Sequence, residues 1–217
     1  MFDPPLFPIL LTVVEAAATI AFALSGLLEA ARKRLDVVGV CVVAGVTAFG
    51  GGTLRDVLLD RRPFFWVEHA AWLWALLALC VTAMALLRAR HFAPTERAMQ
   101  WPDALGLGLF SAGGTQLALA QGLPPIVAVL MGVVTATFGG VLRDIVCNEI
   151  PTAFRDHRPY ALCAFAGGWA LVASRALGMP DSACVLVASG TASGLRLLAL
   201  ATDFKLPQWS SGSERHH

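Results

Sequence analysis

Apolar residues occupy seven long runs of this chain, separated by short segments rich in charge, proline and glycine. A hydrocarbon core about 30 Å thick needs about 20 mainly apolar residues per helix, and each run reaches or approaches that length. The pattern therefore predicts an all-α integral membrane protein with seven transmembrane helices. Asp36, Asp103 and Asp181 stand where N-cap residues of three of these helices would lie. The expected spans are residues 6–29, 37–59, 67–88, 103–121, 125–148, 160–178 and 182–202.

Basic residues are distributed unevenly over the connections between the spans. One side of the predicted bundle has only Arg61, Arg62 and Arg175. The positive-inside rule then predicts an N-terminus outside the cell and a C-terminus in the cytoplasm, and the basic face would attract anionic lipid headgroups. The more basic side carries Arg32, Lys33, Arg34, Arg88, Arg90, Arg97, Arg155, Arg158 and Lys205.

A motif is written twice in the chain, at an offset of 88 residues. The segments 46–56 and 134–144 are identical at eight of eleven positions, and both contain the pattern GGxLRD. The same offset relates Phe22 to Phe110 in the preceding spans. The repeat is thus a unit of three spans, and an odd number of spans makes the second copy enter the membrane from the opposite face. The sequence predicts two inverted three-helix repeats followed by a seventh helix outside them.

The doubled motif places glycine and charge where an apolar helix is expected. Glycine in a helix costs about 1 kcal/mol relative to alanine, so the clusters predict kinks or short unwound segments in spans two and five. Arginine and aspartate are expensive to hold within a membrane, which indicates a function. Each motif lies beyond the midpoint of its span, so we expect two separate charged collars rather than a pair between Arg55 and Asp144. The candidate pore and gating residues are Gly50, Gly51, Gly52, Arg55, Asp56, Gly139, Gly140, Arg143 and Asp144.

Other polar positions within the spans are weaker candidates. Thr47 and Thr135 could offer hydroxyl groups to a pathway, although such residues also form hydrogen bonds between helices. Glu15 lies near the middle of span one, where it could face an ion or remain protonated at a helix interface. Gly26 and Gly114 occupy equivalent places in spans one and four, where we expect them to allow close helix packing.

Composition excludes several classes of protein. The chain is 57% hydrophobic and 14% charged, against about 45 to 50% and about 25% in soluble domains. Its 16 basic and 15 acidic residues nearly balance, so the composition does not indicate the basic surface that binds nucleic acid. The five cysteines are an odd number within apolar runs, which indicates neither a disulfide framework nor a metal site. Motifs of metalloproteases, serine hydrolases and nucleotide-binding loops are absent from the sequence, so neither an enzyme nor a cofactor is expected.

The residues GGTLRDVL and GGVLRDIV, together with an RLLAL stretch leading to Leu206-Pro207, resemble the bacterial relatives of the trimeric intracellular cation (TRIC) channels. The resemblance implies a homotrimer in the bacterial inner membrane with one potassium-permeable pore in each subunit, bounded by the second and fifth helices. Animal members carry a lysine–glutamate motif where this chain has Arg143-Asp144, so their proposed phosphoinositide regulation is not transferred.

The same bacterial group is also described as putative glycine transporters, so a carrier for a small zwitterion is the alternative to a channel. In either case the sequence predicts one membrane domain over residues 1–207. Its parts are repeat one at about 6–90, repeat two at about 100–180 and helix seven at about 182–202. Residues 208–217 are interpreted as a polar tail, whose final histidines are typical of an appended tag.

Overall fold

Long α-helices form the protein. A computed structural model describes residues 6–89, 95–155 and 157–207, and these ranges contain nine helices and no strand. Seven of the helices correspond to the predicted spans, while the single-turn helices α3 and α7 were not predicted. The polar tail and Arg90 lie outside the described residues. The helices are α1 (Leu6–Arg32), α2 (Val37–Leu58), α3 (Phe65–Glu68), α4 (Ala71–Ala89), α5 (Glu96–Ala120), α6 (Pro125–Val146), α7 (Thr152–Arg155), α8 (Ala161–Ala176) and α9 (Asp181–Thr202).

Several helices are suited to a membrane. Within the described ranges, four are long and apolar enough to cross one, namely α1, α2, α6 and α9, while α4 and α8 contain shorter apolar segments. Helix α5 has the polar residues Glu96, Arg97 and Gln100 in its first turns and lies in the middle of the bundle, against α1, α6, α8 and α9. The number of seven membrane crossings stays a prediction.

The start of α5 differs from the prediction. The helix begins seven residues before the expected position, because Thr95 caps it by accepting a hydrogen bond from the Ala98 amide at 3.2 Å. Asp103 is therefore not an N-cap, since it lies inside the helix and is buried. Asp181 is the first residue of α9 rather than its cap, whereas the Asp36 prediction is confirmed by a 2.8 Å bond from the Gly39 amide.

The two repeats pack against each other in opposite directions. The rings of the equivalent residues Phe22 of α1 and Phe110 of α5 pack against each other in a tilted arrangement, with centroids 5.3 Å apart. Gly106 of α5 contacts Phe22, whereas Gly113, which comes later on α5, contacts Val14, which comes earlier on α1. Helices α1 and α5 are therefore antiparallel. Equivalent positions thus meet near a local two-fold axis, as an inverted repeat requires.

The predicted unwinding at the glycine clusters is wrong. Helix α2 is continuous through Gly50–Gly52, and α6 is continuous through Gly139 and Gly140. The expected close packing at Gly26 and Gly114 is confirmed, because a β-carbon there would lie 2.5 Å from Thr47 Oγ1 and 2.7 Å from Thr135 Oγ1. These glycines allow neighbouring helices to pack closely and do not interrupt the helices that contain them.

Helix α9 lies outside the repeat and packs along α8 and α5. Its C-cap, Asp203, has a left-handed backbone conformation and accepts a hydrogen bond from Arg158 Nε at 2.9 Å. The Leu206 amide donates to the His157 carbonyl at 2.7 Å. These contacts tie the end of α9 to the connection that precedes α8.

The exposed Asp203 carboxylate should make stability pH-dependent. Hydrogen bonds from Arg158 and then Lys205 lower the pKa of Asp203, so its contribution is present above the ordinary aspartate pKa and is lost as pH falls through the lowered value. We expect the melting temperatures of the parent protein and D203N to converge at pH values well below the ordinary aspartate pKa, and to differ slightly at pH 7. Thermal unfolding in detergent across that range measures this; equal melting temperatures at every pH would contradict it.

Candidate functional site

The doubled motifs meet where α2 and α6 cross. A β-carbon on Gly51 would lie 2.0 Å from the Thr135 carbonyl oxygen, and one on Gly139 would lie 2.3 Å from the Thr47 carbonyl oxygen. These two contacts are equivalent under the 88-residue offset, and they show that the helices are antiparallel. The missing side chains let the two backbones touch.

A cluster of four charges, here called the first-repeat cluster, follows the crossing on α2. Arg55 is fully buried and donates to Asp56 Oδ1 from Nε at 2.9 Å and from Nη2 at 2.7 Å. The same Nη2 lies 2.7 Å from Glu15 Oε1 of α1, and Arg61 Nη1 reaches that oxygen at 3.3 Å. The Arg55 guanidinium also lies 5.5 Å from the centre of the Phe65 ring. Two carboxylates and two guanidinium groups therefore offset one another within the bundle.

A second cluster, here called the second-repeat cluster, occupies the equivalent place on α6. Arg143 donates to Asp144 Oδ1 from Nε at 2.8 Å and to Asp103 Oδ1 of α5 from Nη1 at 2.6 Å. Its Nη1 also donates to Ser25 Oγ at 2.6 Å. The arginine is 2% exposed, so its charge is held by these partners rather than by solvent.

Each motif aspartate also fixes the short helix that follows its long helix. Asp56 Oδ2 accepts from the Phe65 amide at 3.0 Å, at the first residue of α3. Asp144 Oδ2 accepts from the Thr152 amide at 2.7 Å and from its hydroxyl at 2.8 Å, at the first residue of α7. The first amide groups of a helix have no hydrogen-bond partner within that helix. In α3 and α7 the motif carboxylates supply this partner.

The two clusters lie on opposite sides of the crossing. Arg55 and Arg143 each follow the centre of the crossing by six residues, which is about 9 Å of helix in opposite directions. The ion pairs of each arginine lie within its own repeat, and Arg55 forms no pair with Asp144, as expected. The clusters are thus separate, while their role in a pathway stays a prediction.

The remaining candidates lie at the same crossing. The Thr47 hydroxyl donates to the Val43 carbonyl at 2.6 Å, and the Thr135 hydroxyl donates to the Met131 carbonyl at 2.6 Å. Both threonines are buried and pack against α1 and α5 through Gly26 and Gly114. Glu15 proves to be part of the first-repeat cluster.

The sequence interpretation missed three members of the clusters, namely Asp103 and Ser25, which contact Arg143, and Arg61, which contacts Glu15 and Asp56. Asp103 follows Glu15 by 88 residues, so the repeat offset could have identified it as the second acidic partner. Ser25 and Arg61 had no such signal, because their equivalents Gly113 and Glu149 have different chemistry.

The chain is similar in sequence to known membrane proteins. A family model described as "Glycine transporter" matches residues 12–89 and 100–176. This chain belongs to that family. A Vibrio cholerae UPF0126 membrane protein is a family relative, 34% identical over 205 residues that cover 93% of this chain and 83% of the relative. The Escherichia coli inner membrane protein YadS is 32% identical over 201 residues, covering 91% of this chain and 95% of YadS.

Solved structures of TRIC channels share the fold of this family member. The Rhodobacter sphaeroides TRIC orthologue superimposes with a TM-score of 0.81 at 36% identity, covering 89% of this chain and 98% of that one. A prokaryotic TRIC channel crystallised in KCl gives a TM-score of 0.83 at 29% identity, covering 91% of this chain and 99% of that one. The resemblance to the bacterial TRIC family is confirmed.

Proposed function

We propose that this protein is a monovalent cation channel that conducts potassium through a pathway bounded by α2 and α6 in each subunit. The observation that carries the proposal is the pair of buried ion-pair clusters at opposite ends of the α2–α6 crossing, in a chain 36% identical to a TRIC cation channel orthologue. The glycines Gly50, Gly51 and Gly139 would then set how closely the two helices approach.

The internal pairing of the clusters supports a cation as the permeant ion. A bare arginine beside a pore would repel cations. Arg55 and Arg143 each contact two carboxylates, Glu15 with Asp56 and Asp103 with Asp144, so their positive charge is offset. Carboxylate oxygens next to the pathway then remain favourable for a cation.

We further propose a homotrimer in the bacterial inner membrane with seven crossings per subunit, α1, α2, α4, α5, α6, α8 and α9. The N-terminus would lie outside and the second-repeat cluster would lie toward the cytoplasm. Its relatives support this, since one is named an inner membrane protein and another a trimeric channel orthologue. Exposed apolar side chains on α4, Trp74 and Val81 among them, suit contact with lipid or a neighbouring subunit.

The channel proposal predicts unitary currents in planar bilayers that hold the purified protein under a potassium gradient. The currents should reverse near the potassium potential, and D144N should alter unitary conductance because it removes a charge from the second-repeat cluster. The control is D203N, an exposed carboxylate outside the bundle, which should leave conductance unchanged. If D144N is not recovered folded, D103N removes the same charge from the other side of Arg143.

The second candidate is a carrier for glycine, which the description of the matching family favours. Guanidinium and carboxylate groups side by side would suit a zwitterion. Absence of unitary currents, together with saturable uptake of labelled glycine by proteoliposomes, would establish the carrier and overturn the channel. Currents without saturable uptake would exclude it.

A further inference from the structure

The two clusters differ in the origin of their second positive charge. In the first-repeat cluster Arg61 supplies it, from the connection after α2. The position equivalent to Arg61 in the second repeat is Glu149, a carboxylate that pairs with Lys33 and Arg155 instead. The second repeat therefore provides its own cluster with only one guanidinium, that of Arg143, for two carboxylates.

Helix α9 brings a third fully buried arginine to this place. Arg196 is 1% exposed, and its guanidinium carbon lies 4.8 Å from the centre of the Tyr160 ring. Its Nη1 donates to the Pro159 carbonyl at 3.3 Å. A guanidinium over an aromatic face is attracted by the ring, most strongly where water is excluded.

Tyr160 spans the distance between Arg196 and the second-repeat cluster. A β-carbon on Gly140 would lie 3.0 Å from Tyr160 Oη, 3.7 Å from Asp103 Oδ1 and 3.8 Å from Arg143 Nη2. The three polar groups thus converge on the space that this glycine leaves open. The hydroxyl is buried and has no hydrogen-bond partner of good geometry among the described residues.

The first repeat fills the equivalent space differently. A β-carbon on Gly52 would lie 2.4 Å from the Phe65 ring, so an apolar ring closes that space. In the second repeat the Tyr160 hydroxyl takes the place of this hydrocarbon edge, and the ring that carries it also contacts the Arg196 guanidinium. The difference between the repeats is therefore polar, and it coincides with the loss of a counterpart to Arg61.

We propose that Arg196, from the helix outside the repeat and held beside the second-repeat cluster by the Tyr160 ring, supplies the positive charge that offsets this cluster, as Arg61 does for the first. The two carboxylates Asp103 and Asp144 then face two guanidinium groups in each subunit. In the channel, this contact makes α9 set the electrostatic potential at that end of the pathway. The transport consequence rests on the proposed function, whereas the charge coupling does not.

A double-mutant cycle tests the coupling without any transport measurement. R196Q leaves an excess carboxylate and D103N leaves an excess guanidinium, while the double variant has one of each. The melting temperature of the double variant in detergent should exceed the additive value by more than about 2 °C. The matched control combines R61Q with D103N, which belong to different clusters and should be additive. Additivity in the first cycle overturns the proposal.

Current rectification in bilayers tests the same charge in the channel. R196Q should raise the potassium concentration at the second-repeat end roughly twofold, and R61Q should do so at the other end, so the two variants should rectify in opposite directions. R196K keeps the positive charge and should retain the rectification of the parent. If the guanidinium had only a structural role, R196K would rectify like R196Q.

The outcomes separate the two proposals. A parent protein without currents overturns the channel, while the cycle still decides the coupling. A conducting parent whose R196Q and R61Q variants rectify alike overturns the role of Arg196 and leaves the channel intact. If R196Q is not recovered folded, Y160L removes the ring that holds Arg196 beside the cluster, and it should shift rectification in the same direction as R196Q.

Discussion

Replacing Gly51 by alanine should destabilise this protein more than replacing any other glycine of α2 by alanine. The new β-carbon would lie 2.0 Å from the Thr135 carbonyl oxygen, which belongs to the backbone of α6 and cannot rotate away. The two helices would have to separate at their crossing, at a cost of about 3 kcal/mol or more in the free energy of unfolding. The equivalent G139A meets the Thr47 carbonyl oxygen and should behave alike. We expect the double variant to yield no monodisperse protein in size-exclusion chromatography.

Gly45 provides the matched control on the same helix. A β-carbon there would have Leu76 Cδ2 as its nearest neighbour at 3.4 Å, the end of a flexible side chain in ordinary contact. G45A should therefore keep or raise the melting temperature, since alanine favours a helix by about 0.5 to 1 kcal/mol over glycine. A G51A protein as stable as G45A would refute the close crossing of α2 and α6.

The glycine clusters illustrate what the sequence could predict. The 88-residue offset identified both motifs, their equivalence and their placement on opposite sides of the bundle, because an odd number of spans separates the copies. It could not tell a helix break from a close approach, since the same residue permits both. The answer depended on Thr47 and Thr135, whose carbonyl oxygens occupy the space where side chains would be.

The partners of the buried arginines show a second limit. Applying the offset to Glu15 leads directly to Asp103, but the aspartate follows Pro102 and a polar segment, which is also the pattern of a helix start. Arg196 lies outside the repeat, so no internal symmetry could assign it to the second-repeat cluster. Its role depends on the packing of α9 against Tyr160, which no local sequence pattern encodes.

Replacing Arg143 by glutamine should cost about as much stability as the glycine substitutions, for an electrostatic reason. The substitution would leave Asp103 and Asp144, both at least nine-tenths buried, without the guanidinium that contacts them at 2.6 Å and 2.8 Å. Removing one partner of a buried ion pair typically costs about 3 to 5 kcal/mol, because the remaining charge keeps its desolvation penalty. For a chain of this size we expect the melting temperature in detergent to fall by about 6 to 20 °C.

The comparison that isolates burial as the cause of the Arg143 effect is R155Q. Arg155 pairs with Glu149 at 3.2 Å with half of its side chain exposed, so water already screens the pair and its loss should cost less than about 1 kcal/mol.

The triple variant R143Q/D103N/D144N removes the charges of the second-repeat cluster together, and it should recover much of the stability lost in R143Q, because no charge remains without a partner. A triple variant less stable than R143Q would mean that shape and hydrogen bonding to Ser25 and Thr152, rather than charge, hold this end of α6 in place.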